Sequence, residues 1–420
     1  MSRYNLVERK LASLLVRYPL LKSTAKFLYA RVVFLVNKKK YIRKSLYPLF
    51  GFDPASAGTF FGYYDKSPEN TNGLVLACVT DHGTSSISYK SREIKIGVFD
   101  RQGNLHSLVS TKAFNLQQGA RAHWLSENIF VYNDFCEVEN RYVAKVFSVS
   151  AGKQIAKYDH PVQDSFKNIF FLSLNYRRLM SLRPDYGYRN LPTLSAVEIK
   201  DIKRDGLWYV DYKTGNSRLL VSIENACRLR SIPDFKIAFH KFNHVMISPS
   251  GDRAIFMHRY LIKGRRFDRL LSIDLKTSEM ALLSDYGMVS HCYWLDNDTV
   301  LGYLRGPNGQ DGYWLIQVSS GRFSLSPTEA LKSYGDGHPH VNGDWFVTDT
   351  YPDKSRMQHL LLANWKTGEV RHLGEFYHPF RYSGESRCDL HPRFSPDGKS
   401  VYFDSVWSGE RHLYRMDLDL

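Results

Sequence analysis

Cysteine is sparse in this chain, and the chain has no long uninterrupted hydrophobic run. Five of its 420 residues are Cys, they lie far apart, and no CxxC pair occurs. An odd number of widely spaced cysteines argues against a disulfide framework and favours a reducing compartment. The longest apolar run, Phe27 to Val36, contains Arg31 and is too short to span a bilayer. Glu8 interrupts the stretch where a secretory signal would need an uncharged core, so we expect a cytosolic protein.

Acidic residues are nearly missing from the beginning of the chain. Twelve of the 57 Lys and Arg residues fall within residues 1–50, where Glu8 is the single acid, so most of the net charge of +15 belongs to this arm. The rest of the chain is almost balanced, with 45 basic and 41 acidic residues. Overall charge therefore does not indicate nucleic-acid binding, and the arm lacks the interleaved aromatics that stack on bases. We expect no nucleic-acid partner.

The arm has two stretches with the apolar spacing of an amphipathic helix. Each places five apolar residues on one face: Val7, Leu11, Leu14, Leu15 and Tyr18 in the first, and Ala25, Leu28, Val32, Leu35 and Val36 in the second. Three lysines, Lys38–Lys40, follow the second stretch. Basic amphipathic helices bind anionic membrane surfaces, and the alternative is an arm that packs on the body or on a partner protein. We expect residues 1–45 to hold the protein on the inner face of the membrane as a peripheral protein.

The remainder, residues 46–420, repeats one strand–turn–strand unit. Segments 242–260 and 389–407 both contain a His, a short strand, a Ser-Pro turn with Gly and Asp, and a second alternating strand. Degenerate copies lie at 121–135, 290–304 and 338–352. A spacing of about 45–60 residues is typical of four-stranded propeller blades. The sequence predicts an all-β, seven-bladed β-propeller with units at 58–115, 116–161, 162–228, 236–287, 288–335, 336–379 and 380–420, and the last unit lacks an outermost strand that residues 46–57 or nearby would supply.

Histidines recur at the start of the first strand of these units. They are His123, His244, His291, His340 and His391. The next strand of four units ends in Asn133, Arg259, Asp349 and Asp404. Because the first strand of a blade is innermost, the repeat predicts that these side chains gather around one funnel, although each His alone could simply join neighbouring blades by a hydrogen bond. Three imidazoles, or imidazoles with Cys388 or Asp389, would suit zinc or manganese.

Several segments of the body resemble a known enzyme family. Segments 116–125, 182–192, 242–259, 336–353 and 387–405, in this order, are similar to the ulvan-lyase-type polysaccharide lyases, which are seven-bladed propellers distantly similar to oligogalacturonate lyase. The resemblance covers about residues 58–420 and implies β-elimination at a uronic acid. That reaction needs a base and an acid, and a cation to neutralise the carboxylate.

The resemblance also implies site residues. His123 would be a catalytic histidine, Tyr188 would act as base and acid, and Arg204 would neutralise the carboxylate. Tyr188 could equally be one of many packed tyrosines in a chain that holds 27, and Arg189 could replace Arg204. Candidate substrate-binding residues are Arg189, His244, Arg259 and His338, and candidate metal ligands are His291, His340, Cys388 and His391.

Three functional hypotheses follow. The first is a lyase that acts on a uronate-containing polysaccharide or oligosaccharide in cell-surface polysaccharide metabolism. The second is a non-catalytic glycan- or protein-binding propeller tethered to the inner membrane surface. The third is an epimerase, or a hydrolase with Asp349 and Asp404 as its carboxylate pair. Convergence of His123, Tyr188 and Arg204 in one pocket would favour the first hypothesis over the second.

Overall fold

The computed structural model describes residues 19–53, 58–86 and 93–419. The first apolar stretch of the arm, within residues 5–18, lies outside these ranges. The second stretch forms helix α1 (Pro19–Asn37). Within the described ranges, no helix is long and apolar enough to cross a membrane.

The body is a seven-bladed β-propeller, as the repeat predicts. Each blade is an antiparallel sheet whose strands pair in chain order, and two strands near the beginning of the chain join the last two blades. Those two strands are β1 (Arg43–Ser45) and β2 (Leu49–Phe52). The blades are blade 1 with β3 (Gly58–Phe60), β4 (Val75–Thr80), β5 (Ile94–Phe99) and β6 (Leu105–Thr111); blade 2 with β7 (His123–Ser126), β8 (Ile129–Cys136), β9 (Arg141–Ser148) and β10 (Lys153–Tyr158); blade 3 with β11 (Asp164–Phe166), β12 (Phe170–Ser173), β13 (Gly206–Asp211) and β14 (Ser217–Ser222); blade 4 with β15 (Phe239–Ile247), β16 (Arg253–Ile262), β17 (Arg265–Asp274) and β18 (Met280–Gly287); blade 5 with β19 (Val289–Trp294), β20 (Thr299–Arg305), β21 (Asp311–Gln317) and β22 (Arg322–Leu325); blade 6 with β23 (His340–Asn342), β24 (Trp345–Asp349), β25 (Met357–Asn364) and β26 (Val370–Tyr377); and blade 7 with β27 (Arg393–Phe394), β28 (Ser400–Ser405) and β29 (His412–Asp417).

The beginning of the chain closes the ring. Strand β2 pairs with β29 and becomes the outermost strand of blade 7, which confirms the expected closure by residues 46–57. The hydroxyl of Thr59 donates to the carbonyl of Phe52 and accepts from the Leu413 amide at 3.2 Å, so blade 1 fastens both strands. Strand β1 extends blade 6 as a fifth strand. The last residues of the expected arm, 43–45, therefore belong to the propeller.

Helices after residue 50 are short, as expected. Helices α2 (Tyr176–Leu182) and α3 (Ala196–Lys200) lie in the β12–β13 connection of blade 3, and α4 (Ile223–Arg228) links blades 3 and 4. Single 3₁₀ turns occur at Pro184–Tyr186, Pro233–Lys236, Glu329–Ser333 and Gly384–Ser386. The first of these turns brings Tyr186 to the channel, where its ring lies 5.3 Å from that of His244.

Residues 61–66, which we call the central segment, leave β3 and contact several other blades. Their partners come from blades 7, 5, 2 and 3. The contacts are the amides of Phe61 and Gly62 to the Asp404 carboxylate (3.0 and 2.8 Å), the Tyr64 hydroxyl to the Cys292 carbonyl (3.0 Å), a two-pronged Arg121–Asp65 pair (2.9 and 2.7 Å), and a Lys66–Asp164 ion pair. The central segment therefore occupies the propeller channel and ties the blades together.

Candidate active site

Four histidines from four consecutive blades meet at one end of the channel. His244, His291, His338 and His391 come from blades 4 to 7, and each is 8% exposed or less. Ring centroids of successive members lie 5.7, 4.0 and 4.3 Å apart. We call these four residues the histidine cluster. The repeat thus brings together residues that are far apart in sequence, as the funnel prediction required.

The backbone turns two members of the histidine cluster inward. His244 and His391 have φ angles of 52° and 43°, in the left-handed region that residues other than Gly seldom adopt. The β15–β16 pairing also shifts register between Asn243 and Met246, which places His244 in a bulge. Bulges re-aim side chains, and such backbone strain concentrates at functional sites.

Not all five predicted histidines belong to the cluster. In the His-Pro-His sequence of blade 6, His338 takes the position at the channel mouth, and His340 starts β23 two residues later. The Nε2 atom of His340 lies 3.1 Å from the Tyr293 hydroxyl, and its Nδ1 accepts from the Phe394 amide at 3.3 Å. Burial lowers the pKa of His340 to about 3, so this ring is neutral and joins blades 5, 6 and 7.

His123 also lies outside the cluster. Its Nδ1 donates to the Arg121 carbonyl at 2.8 Å, and its Nε2 accepts from the Ser165 hydroxyl at 2.8 Å. Burial lowers its pKa to about 3. Both ring nitrogens are therefore engaged, and the bond to Ser165 links blades 2 and 3, as the structural alternative for single histidines anticipated.

The other two residues that the resemblance implies as catalytic lie elsewhere. Tyr188 is fully buried, its ring stacks on Tyr176 at 4.2 Å, and its hydroxyl accepts from the Asn133 amide at 2.9 Å. Arg204 is exposed, just before β13. Across the described ranges, no hydrogen bond, ion pair or ring contact joins His123, Tyr188 and Arg204, so the structure gives no support to their convergence as a catalytic set.

Three side chains at the mouth offer ligand atoms to one metal ion. Atoms of His338, Asp389 and His391 all lie within 4.8 Å of one another. The Nδ1 of His338 is 2.7 Å from Asp349, which leaves Nε2 available, and the Nε2 of His391 is buried without a hydrogen-bond partner. A carboxylate behind a ligating imidazole is the usual support of a metal ligand. These residues therefore fit a divalent cation such as manganese or zinc.

Electrostatics at the mouth favour the ligand-competent forms of Asp389 and of three of the four histidines. His338 differs, because the neighbouring Asp349 carboxylate outweighs burial and raises the pKa of that ring, so a metal ion would displace a proton from it. Burial lowers the pKa of His291 to about 4 and holds those of His244 and His391 well below the ordinary value, so the three rings are neutral with lone pairs. Burial opposes the charge on Asp389, but the paired Arg387, at 2.7 and 2.6 Å, lowers the pKa of that carboxyl. Neutral imidazoles and an ionised carboxylate are the forms that bind metals.

Of the four predicted metal ligands, His391 belongs to the candidate set. His291 lies against His338, with ring centroids 4.0 Å apart. His340 lies one layer deeper in the channel. The Cys388 thiol contacts the backbone of its neighbour, 3.8 Å from the Asp389 carbonyl oxygen. Burial raises the pKa of Cys388 to about 12, so it holds its proton. His338 and Asp389 belong to the candidate set in place of the predicted His340 and Cys388.

A hydrogen-bonded pair adjoins the ligand set. The Tyr63 hydroxyl of the central segment bonds to Nδ1 of His244, and the two rings stack at 5.2 Å. The ring of Tyr63 also lies 5.1 Å from that of His391. A group that can exchange protons therefore lies next to the candidate metal ligands.

Basic side chains surround this pair. Lys241 and Arg259 are buried and lie opposite each other on β15 and β16, and Arg259 pairs with Asp268 at 2.7 Å. At the rim, Arg183 lies over the Tyr186 ring at 4.9 Å and Arg387 over the Tyr351 ring at 4.8 Å. The three arginines are cations that suit a ligand carrying carboxylates. Burial and the charge of Arg259 hold the pKa of Lys241 well below its ordinary value.

Of the predicted substrate-binding residues, His244, Arg259 and His338 lie at the mouth. Arg189 does not, since it pairs with Glu385 in a separate cleft that Lys112 and Asn115 also line.

The two aspartates proposed as the carboxylate pair of a hydrolase accept hydrogen bonds that hold other residues in place. Asp349 accepts from the backbone and ring of His338 through one oxygen and from the His391 amide at 3.0 Å through the other. Asp404 accepts from the central segment and from Arg393 at 3.0 Å. Neither carboxylate is placed as a free acid or base, which removes the reason for the hydrolase hypothesis.

Sequence reasoning missed Tyr63, Lys241 and Arg387. Tyr63 lies in "FGYYDK", directly after the first strand of blade 1, at the repeat position where other blades carry histidine. Aligning blade 1 with the others by that strand would have found it. Nothing in the sequence singled out Lys241 and Arg387, because basic residues are common throughout the chain.

Comparisons with known proteins agree on the architecture. No family model and no curated protein sequence matches this chain. Among solved structures, an oligogalacturonate lyase in complex with manganese is similar at a TM-score of 0.57 and 12% identity, covering 90% of this chain and 94% of that one. The oligogalacturonate lyase of Vibrio parahaemolyticus gives the same score and identity and covers 90% and 97%. At this identity the likeness shows the fold, and the finer resemblance to ulvan lyases stays a prediction.

Proposed function

We propose that this protein cleaves a uronate-containing glycan by β-elimination at the mouth of the propeller. The observation that carries the proposal is the Tyr63–His244 pair beside the His338–Asp389–His391 ligand set, within a ring of basic side chains. The similar oligogalacturonate lyase was solved in complex with manganese, which supports a role for a divalent metal. The substrate would belong to cell-surface polysaccharide metabolism.

The basic side chains address the main barrier of this reaction. Removing the proton next to a carboxylate places further negative charge on that group. Arg259 would orient the uronate carboxylate and stabilise this charge in a site from which water is largely excluded. Lys241, opposite Arg259, would donate a hydrogen bond to the same carboxylate. A divalent cation held by His338, Asp389 and His391 would supply Lewis-acid polarisation of the same carboxylate.

The Tyr63–His244 pair would carry the protons. His244 is neutral because burial, and then the charge of Arg259, lower its pKa. The pair takes the proton from the carbon next to the carboxylate. A double bond forms to the neighbouring carbon as its bond to the glycosidic oxygen breaks, and that oxygen leaves with the electron pair and receives a proton from the pair. Proton and charge are balanced over the cycle without an oxidant or reductant.

Absorbance of the unsaturated uronate product tests this proposal. The protein is incubated with a panel of uronate polysaccharides, with and without a chelator, and with manganese added back. We expect a rise in ultraviolet absorbance that chelation abolishes and manganese restores. Parallel incubation in deuterated water detects exchange at the carbon next to the carboxylate. Exchange without absorbance would replace the lyase by an epimerase, and glycan binding with neither signal would replace it by a binding module.

We also propose that α1 holds the protein on an anionic membrane surface. The ring of Phe34 packs on Tyr377 and Phe380 at 5.8 and 5.5 Å, so one side of α1 contacts the body. The predicted apolar face points away from it: Leu28, Val32, Leu35 and Val36 are 56%, 60%, 73% and 82% exposed. Exposed apolar residues followed by Lys38–Lys40 are the combination that anionic interfaces bind.

Co-sedimentation with vesicles tests the membrane proposal. The double variant Leu35→Glu/Val36→Glu should bind vesicles of mixed phosphatidylglycerol and phosphatidylcholine at least about tenfold more weakly than the unchanged protein, because two charges replace buried apolar area at the interface. Val197→Glu, at a residue that is 80% exposed on α3, is the matched control and should bind normally. Equal binding of all three proteins would refute the role of α1.

A further inference from the structure

A second cluster of ligand-type side chains lies outside the mouth, between α4 and blade 4. Cys227 comes from α4, His240 from β15 and His258 from β16, and all three are buried. The Cys227 sulfur is 3.6 Å from Nδ1 of His240 and 3.9 Å from Nε2 of His258, and these two nitrogens are 2.9 Å apart. The proposed elimination uses none of these groups.

The hydrogen bonding of His240 turns a lone pair toward the other two ligand atoms. Its Nε2 donates to the Phe235 carbonyl at 3.0 Å, which fixes the tautomer and leaves Nδ1 unprotonated. An imidazole whose far nitrogen donates to a carbonyl is the usual orientation of a metal-ligating histidine. Nδ1 of His240, Nε2 of His258 and the Cys227 sulfur therefore converge on one point.

The three distances match those around a tetrahedral zinc ion. With Zn–N near 2.0–2.1 Å and Zn–S near 2.3 Å, two nitrogens lie about 3.3 Å apart and a nitrogen and a sulfur about 3.6 Å apart. The measured separations of 2.9, 3.6 and 3.9 Å each lie within about 0.4 Å of these values. Small side-chain adjustments would admit the ion.

The donor set selects the metal. One thiolate and two imidazoles favour zinc over manganese or magnesium. Burial raises the pKa of Cys227 to about 11, whereas the nearby Arg269 charge lowers it, so the thiol is protonated until a metal displaces the proton. The guanidinium of Arg269 donates to the Ala226 carbonyl at 3.3 Å, next to the thiol, and would stabilise the thiolate.

We propose that Cys227, His240 and His258 bind a zinc ion, with a solvent molecule in the fourth position. This ion fastens α4 to blade 4. Along β15 and β16, His240 and His258 lie on one face of the sheet, and Lys241 and Arg259 lie on the other, opposite each other. The zinc therefore braces the two strands that present basic side chains to the mouth.

Cobalt substitution tests the site independently of any activity. The purified full chain is stripped of metal and reconstituted with Co²⁺, and its near-ultraviolet absorption is recorded. A thiolate ligand gives a charge-transfer band, whereas the mouth set, with nitrogen and oxygen ligands, gives none. We expect the band in the unchanged protein and in Cys388→Ser, whose thiol lies beside the mouth. Cys227→Ser should lose the band, and it should bind about one equivalent of zinc less than the unchanged protein.

X-ray absorption at the zinc edge covers the case in which Cys227→Ser does not fold, because it uses the unchanged protein. We expect one sulfur and two imidazole nitrogens around zinc. A cobalt form without the charge-transfer band, or a zinc shell without sulfur, would overturn the proposal. Because neither measurement involves a glycan, failure of the elimination proposal would leave this result unaffected.

Discussion

The variant His244→Gln should eliminate uronate about 10²–10⁴-fold more slowly than the unchanged protein, with the propeller still folded. Gln fills a similar volume and can accept from the Tyr63 hydroxyl, but it cannot take up a proton. Tyr63→Phe should show a loss of the same order, because the two groups act on one proton path. Rates are measured from the absorbance of the unsaturated product at saturating substrate, and folding is checked by circular dichroism.

The pair one layer deeper in the channel is the matched control. Tyr293 and His340 are also a hydrogen-bonded Tyr–His pair, and their rings lie 4.6 Å apart. Tyr293→Phe should leave the elimination rate within a few-fold of normal. Full activity in His244→Gln, or equal losses in both layers, would exclude the Tyr63–His244 pair as the proton carrier.

The pH profile follows from the same residue. The pKa of His244 lies well below 6.5 because the ring is buried and faces Arg259. The neutral ring, which is the form able to accept a proton, is therefore present at neutral pH and persists into mildly acidic solution. Elimination should stay level through the neutral range and fall only as the pH drops through that lowered pKa.

Asp65→Ala is expected to destabilise the propeller by about 3–5 kcal/mol in chemical unfolding. Asp65 and Arg121 are each 3% exposed and form a two-pronged ion pair inside the channel. Removing the carboxylate leaves a charged guanidinium without its partner in a buried place, which costs more than the pair itself contributes. The stability that Asp65 supplies should be fully present at neutral pH and fade in acid, because Arg121 outweighs burial and lowers its pKa.

A double variant separates the lost pair from the uncompensated charge. Asp65→Ala with Arg121→Met removes both charges and should recover much of the stability that Asp65→Ala loses. If the single variant costs less than about 1 kcal/mol, or if the double variant is no more stable than the single one, the central segment does not anchor the channel in this way.

The blade count and ring closure could be predicted because they depend on local, repeated signals. A Ser-Pro turn with Gly and Asp marks a hairpin wherever it occurs, and its spacing counts the blades. The missing outermost strand of the last unit indicated that residues 46–57 would complete it, and β2 does so.

The site was predicted less completely, because a shift of two residues decides which layer of the channel a histidine enters. "HPH" in blade 6 contains both positions, and nothing in the sequence says that His338 faces the mouth while His340 lies deeper. In blades 4 and 7, a left-handed backbone at His244 and His391 helps to direct these rings to the mouth, and such a conformation belongs to the folded sheet. Tyr188 and Arg204 rested on resemblance alone, and the structure places one in the core and the other on the surface.

Ring closure by β2 also sets the order of events during synthesis. Strand β2 precedes the seven blades along the chain, and its partner β29 follows every other propeller strand, so β2 stays unpaired while the strands between them are translated. The same delay applies to β1, whose partner β26 lies in blade 6. Helix α1, which packs on blade 6 through Phe34, can dock only at that late stage. Ribosome-bound chains that stop before blade 7 should therefore expose an open ring with free strand edges, a form that chaperones would need to protect from aggregation.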